Sequence, residues 1–156
     1  MEGQFIYACK TGDTAKVALL IKSVDQSTNT LGIRCASRNG QTDVVRLLLE
    51  DSRADPSAKT NAAIQLACYY GHTDIVRLLL ADSRVDPSTQ RNCALRWACS
   101  RGHLEVVRIL LDDPRVEMTS IFTIQRAKDN GCTEIVDLLT EHQFRLDGPE
   151  YNKNII

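Results

Sequence analysis

Six cysteines, three histidines and a spaced set of carboxylates are the residues of this 156-residue chain whose types could do chemistry. Cys9, Cys35, Cys68, Cys93, Cys99 and Cys132 include no Cys-x-x-Cys pair, and no histidine stands at zinc-ligand spacing from any of them, so no metal site is expected. His72 and His103 each follow a glycine, and His142 lies near the end. None of the three sits in a Gly-x-Ser-x-Gly, a His-Glu-x-x-His or a glycine-rich phosphate loop. No catalytic residue and no cofactor are therefore expected. Cys9, Cys68 and Cys99 recur three residues before a glycine; they read as small buried hydrophobes and imply a reducing compartment. Asp51, Asp55, Asp82, Asp86, Asp112, Asp113 and Glu117 interleave with Arg53, Arg84 and Arg115. They read as a solvated charge ladder whose exposed pairs contribute ~0–1 kcal/mol each.

The elements that position these residues are set by a repeat. Gly12, Gly40, Gly71, Gly102 and Gly131 fall 28, 31, 31 and 29 residues apart. Four residues before them stand Ala8, Ala36, Ala67, Ala98 and Ala127, and seven before stand Phe5, Ile33, Ile64, Leu95 and Ile124. Five after stand Val17, Val45, Val76, Val107 and Val136, and the seventh and eighth positions after are aliphatic in every copy. Apolar residues at i, i+3 and i+4 mark one face of a helix before each glycine. A second amphipathic helix follows it, as in Thr73 to Leu80. Both are too short to be stable alone, so a fixed period of this length means a stacked array in which each unit buries its faces against its neighbours.

The units run at about residues 1–27, 28–58, 59–89, 90–120 and 121–148, a single domain over 1–148 with a frayed tail over 149–156. Thr30, Asn61 and Asn92 stand where side chains could cap the first helices. Asp51-Ser52-Arg53-Ala54-Asp55-Pro56-Ser57 and Asp82-Ser83-Arg84-Val85-Asp86-Pro87-Ser88 read as connecting turns, because proline cannot continue a helix.

On a helical wheel the fifth and second residues before each glycine point away from the core. The fifth-before row is Tyr7, Cys35, Leu66, Trp97 and Arg126; the second-before row is Lys10, Arg38, Tyr69, Ser100 and Asp129. Arg34, Arg96, Tyr70 and Arg101 flank them. Cations Lys10, Arg34, Arg38, Arg96, Arg101, Arg126 and Lys128 oppose the carboxylate Asp129 on this surface, although the net charge is only −1. Trp97 could pack between units, whereas of Tyr69 and Tyr70 at most one can face a core.

Cys68-Tyr69-Tyr70-Gly71-His72-Thr73-Asp74-Ile75-Val76-Arg77-Leu78-Leu79-Leu80 and its counterpart from Cys99 to Leu111 resemble the ankyrin-repeat core Ala-x-x-Gly-His-x-x-Val-Val-x-Leu-Leu-Leu. The likeness extends over residues 4 to about 141. It implies an all-α, helix-turn-helix solenoid of five repeats, with the histidines making structural hydrogen bonds. Two features depart from the family. The Thr-Pro-Leu-His start is absent, and the period of 31 implies a shortened finger or a plain turn.

The resulting expectation is a non-catalytic, monomeric interaction module. Its concave groove would bind an acidic protein segment with an apolar anchor through Tyr7, Arg34, Arg38, Leu66, Tyr69, Tyr70, Arg96, Trp97, Arg101 and Arg126. The alternatives are a structural array without a dedicated partner and, disfavoured by the acidic connectors, a nucleic-acid-binding groove. No signal peptide and no apolar run near the ~20 residues of a membrane span are present, so a cytoplasmic protein without membrane partners is expected.

Overall fold

The computed structural model describes residues 1–117 and 121–147; the tail expected over 149–156 lies outside the described residues. Ten α-helices fall into five pairs: α1 Glu2–Thr11 with α2 Thr14–Leu20, α3 Gln26–Asn39 with α4 Thr42–Glu50, α5 Ala58–Tyr70 with α6 Thr73–Leu80, α7 Thr89–Arg101 with α8 Leu104–Leu111, and α9 Ile121–Asp129 with α10 Thr133–Asp147. No strand occurs among the described residues; a 3-10 turn over Ile21–Ser23 follows α2, and turns join α4 to α5 and α6 to α7. First helices pack on first helices along the stack, and second helices on second helices less extensively.

Within each pair the glycine ends the first helix in the left-handed conformation, with φ between 72° and 82°. In the third pair the carbonyl of Ala67 accepts from the N–H of both Gly71 and His72, which needs that alanine tight in the inter-helix angle. The repeated positions form one continuous core: Phe5, Ile33, Ile64 and Leu95 are buried, as are all five alanines and the first four valines. Leu19 departs from the pattern. It is 82% exposed, because α2 packs only on the helices of its own and the following pair. At the two ends of the stack Gln4 and Lys128 are exposed. Each occupies a position filled in the other pairs by small buried residues, such as Gly32 and Ala63 or Cys68 and Cys99.

Buried Cys9 and Cys99 have thiols pushed up to about 12 by burial and then by a neighbouring thiol, and burial moves Cys68 in the same direction. All six cysteines are free. A thiol held protonated in apolar surroundings is a poor nucleophile.

Two expectations about the connectors are corrected. Thr30, Asn61 and Asn92 do not cap their own helices. Thr30 Oγ1 accepts from the N–H of Asp55 (3.0 Å), Asn61 Oδ1 accepts from the N–H of Asp86 (2.8 Å), and Asn92 Nδ2 donates to the carbonyl of Glu117 (2.6 Å). Asn61 and Asn92 are buried and Thr30 is half-buried against the connector at the far end of the same unit, so each is unavailable to its own helix. The cap of α3 is Asp25, whose Oδ1 accepts from the N–H of Thr28 at 2.7 Å. Lys59, Thr60 and Asn61, like Gln90, Arg91 and Asn92, form a left-handed turn inside the start of α5 and α7.

The second correction concerns the charge ladder, which is a set of clamps. Arg84 is paired with Asp82 at 2.6 Å and reaches back to the carbonyls of Ser52 and Ala54. Arg115 is paired with Asp113 and reaches Val85 and Leu80. Arg53 is paired with Asp51 and reaches Ile21 and Val24. The carboxylates orient each guanidinium and are largely buried beneath it, at 10–15% side-chain exposure. Sequence spacing alone could not separate a clamp from a ladder, since the carbonyl partners carry no side-chain signature.

Hydrogen bonding to Arg84 and Arg115 holds the carboxyls of Asp82 and Asp113 below their ordinary value of 3.8, against the opposing effect of burial. The folded pKa is the lower one, so the unfolded chain takes up these protons first as pH falls. The stabilisation is complete above the unfolded value and is lost as pH falls below it through the folded values. Urea unfolding at stepped pH is expected to show stability falling below about pH 4. The fall should be shallower in a protein carrying Asp82→Asn and Asp113→Asn. An unchanged acid slope in that variant would remove the clamps from the account.

Candidate interaction groove

The exposed side of the first helices is built by the core on their other side. With the seventh, fourth and third residues before each of the first four glycines buried, the second and first are turned outward at the helix end. Tyr69 is half-buried and Tyr70 exposed, so neither enters the core. Trp97 lies across from them on α7, 38% exposed, and is not sequestered between units.

These rings meet. Tyr69 stands edge-to-face with Tyr70 (centroids 4.8 Å apart) and with Trp97 (5.0 Å). Such pairs contribute ~0.5–1.5 kcal/mol beyond their buried area. The Arg101 guanidinium lies over the Tyr69 ring at 4.1 Å, and that of Arg38 over Tyr70 at 5.8 Å. His72 stacks beside Tyr70 at 6.1 Å. One contact chain thus crosses α3, α5 and α7, from Arg38 through Tyr70 and Tyr69 to Trp97 and Arg101.

The other expected residues are distributed differently. Arg34 and Arg96 share one repeat position and are half-buried. They line separate cavities, of about 500 Å³ beside Leu31 and Lys59 and of about 840 Å³ beside Arg91 and Asn92. Arg96 donates to the carbonyl of Gln90, and the Nε of each arginine is buried without a partner. Leu66 is half-buried, and Tyr7 and Arg126 are exposed on α1 and α9 outside the contact chain. Glu2 of α1 also belongs to the first-helix segments, as do Lys59 and Arg91 in the left-handed turns at the start of α5 and α7. On α3, α5 and α7 together the charged residues are Arg34, Arg38, Lys59, Arg91, Arg96 and Arg101, with no carboxylate among them.

The histidines make the structural hydrogen bonds that the resemblance implied, but between units, and Gln41 joins them, which was not read from the sequence. His72 Nε2 donates to the carbonyl of Arg38 (3.1 Å), His103 Nε2 to that of Tyr69 (3.0 Å), and Gln41 Nε2 to that of Lys10 (3.1 Å). Each bond joins one unit to the carbonyl two residues before the preceding unit's glycine, so it fixes the backbone that carries Arg38 and Tyr69. Burial, and then the Arg101 charge, hold the His103 pKa below its ordinary value, which keeps the imidazole neutral with its proton on Nε2. The available signal was an imidazole or amide just after the glycine in three units. Cys132 occupies that place in the fifth and turns to the carbonyl of Asn130 instead.

No group of three or more metal-binding side chains occurs among the described residues, and none of their helices is long and apolar enough to cross a membrane. No curated protein matches the sequence. Residues 33–121 match the family described as ankyrin repeats, in three copies, a span reaching from the buried Ile33 of α3 to the first residue of α9. With the glycine turns, the stacked helix pairs and the histidine bonds between units, that match places the chain in the ankyrin-repeat family, whose repeats are generally protein–protein interaction modules.

Proposed function

We propose that the chain is a non-catalytic module that binds an acidic segment of a partner protein, anchored by an apolar side chain, along the first-helix groove. The observation that carries this is the six cations and no carboxylates on α3, α5 and α7, around exposed Tyr70 and Trp97. Tyrosine, tryptophan and arginine are the types enriched at binding hot spots. A charge field of one sign also speeds encounter with an opposite partner. The single domain over 1–148 and its monomeric, cytoplasmic state are part of the same proposal. A merely structural array has no need of this segregation, since the second helices mix both signs.

Replacing Tyr69 and Trp97 together by alanine is expected to leave the helical circular dichroism nearly intact and to weaken partner binding by about 2 kcal/mol or more for each hot spot. Charge reversal of Arg34, Arg38, Arg96 and Arg101 to glutamate is expected to slow association with an acidic partner. The same reversal at Arg46, Arg77 and Arg108 on α4, α6 and α8 serves as the control. Quantitative affinity capture reads both sets. If the second-helix set abolishes capture and the groove set does not, the convex surface is the functional one. If the parent protein captures no partner, the structural-array reading stands.

A further inference from the structure

The two arginines at the ends of the aromatic contact chain differ from the rest in how they are held. Arg38 and Arg101 are exposed, each rests a guanidinium over a tyrosine ring, and neither has an ion-pair partner among the described residues. Stacking uses the face of a guanidinium and leaves its planar edge of N–H donors free, the edge that matches a carboxylate bidentately. Each guanidinium is thus held beside a ring before a partner arrives, which lowers the entropy lost on binding.

Their separation is bounded by geometry already given. The three steps from Arg38 to the Tyr70 ring, from Tyr70 to Tyr69, and from Tyr69 to Arg101, laid end to end, cap the distance between the guanidinium carbons at about 15 Å. The contacts between them run through exposed Tyr70 and half-buried Tyr69. The rings touch edge to face at 4.8 and 5.0 Å, so they make a continuous aromatic ridge along the groove, beside the two guanidinium groups. An extended chain fits such a ridge. It advances ~3.3 Å per residue and presents every second side chain to one face, so residues i and i+4 lie ~13 Å apart with i+2 between them.

Resting on the groove reading above, we infer that the partner segment is extended and carries two carboxylates four residues apart with an apolar residue between them, acidic-x-apolar-x-acidic. The carboxylates take the Arg38 and Arg101 forks, and the apolar side chain covers the Tyr69, Tyr70 and Trp97 ridge.

Trp97 is the only tryptophan in the chain and lies in the proposed contact, so its fluorescence reports occupancy. End-blocked Gly/Ser peptides are titrated to millimolar concentration. One contains Glu-Ser-Leu-Ser-Glu; a same-charge isomer contains Glu-Glu-Leu-Ser-Ser, a second isomer has its glutamates eight residues apart, and others carry Gln for both Glu or Ser for Leu. The first peptide is expected to bind about tenfold more tightly than either isomer, the worth of one charge-assisted pair, and to lose at least as much with Gln or Ser. Arg38→Ala and Arg101→Ala should each erase the preference between isomers, and Arg101→Lys should keep overall attraction while losing the preference. Equal affinity of all same-charge isomers overturns the spacing and leaves the acidic-groove reading intact. Binding of the Gln peptide as tight as that of the Glu peptide, or no response to any peptide, overturns both.

Discussion

Replacing Gly71 by alanine is expected to destabilise the protein by about 2–3 kcal/mol, combining the cost of a left-handed L-residue with a lost hydrogen bond. Gly71 has φ +76°, and a Cβ there would stand 2.6 Å from Nδ1 of His103. The imidazole must shift, and with it goes the 3.0 Å bond to the carbonyl of Tyr69. Gly102 has the same backbone, φ +79°, but its Cβ would meet only the Cys132 sulfur at 3.5 Å, an ordinary contact. Gly102→Ala should then carry the backbone cost alone, about 1–2 kcal/mol. Urea unfolding of both variants, each with and without His103→Ala, isolates the difference as a coupling energy. Equal costs for the two glycines, or a Gly71→Ala cost unaltered by loss of the imidazole, would remove the inter-unit bond from the stability of the seam.

A larger effect is expected at Phe5. Its ring is fully buried and fills the space that Gly32 leaves on α3, where an added Cβ would lie 2.9 Å from its edge. Phe5→Ala should cost about 3–5 kcal/mol, the range for emptying an aromatic core site. In a linear stack a defect at one end disturbs its nearest neighbour most. Hydrogen exchange should therefore show α1 and α2 opening first, with α5 to α8 protected nearly as in the parent. A single cooperative transition displaced as a whole would mean that the units are coupled more tightly than nearest-neighbour packing allows. The steric side has its own check: Gly32→Ala should be destabilising alone and better tolerated beside Phe5→Leu.

The period of the glycines, alanines and valines was enough to derive the stacked helix pairs, because burial on one helix face leaves a direct mark on residue type. The aromatic and basic character of the first-helix surface was legible for the same reason. The bonds across long sequence separations were not. Asn61 looked like a helix cap because a cap and a bridge to the next connector use the same amide. Arg84 looked solvated because its acceptors are backbone carbonyls some 30 residues away, which no side-chain pattern records. Leu19 fitted the apolar register yet stands in solvent, since periodicity tells which way a residue faces and not whether anything lies there. The division of the four groove arginines into two stacked and two half-buried ones depended likewise on neighbours one unit away, Tyr70 for Arg38 and Tyr69 for Arg101.

The arginine clamps and the imidazole bonds all reach back by about one period, at sequence separations of 29–35 residues. The first three seams are thus closed by residues of the later unit acting on the backbone of the earlier one, whatever side chains that backbone carries. A unit can be duplicated or removed with its own fastening included, and the clamp and imidazole bonds of the new junction ask only for carbonyls. The length of such a protein is free to change in whole steps of one helix pair, while the identities along its first helices change residue by residue. Reach and selectivity are in that sense inherited separately, the first by copying a segment and the second by point substitution.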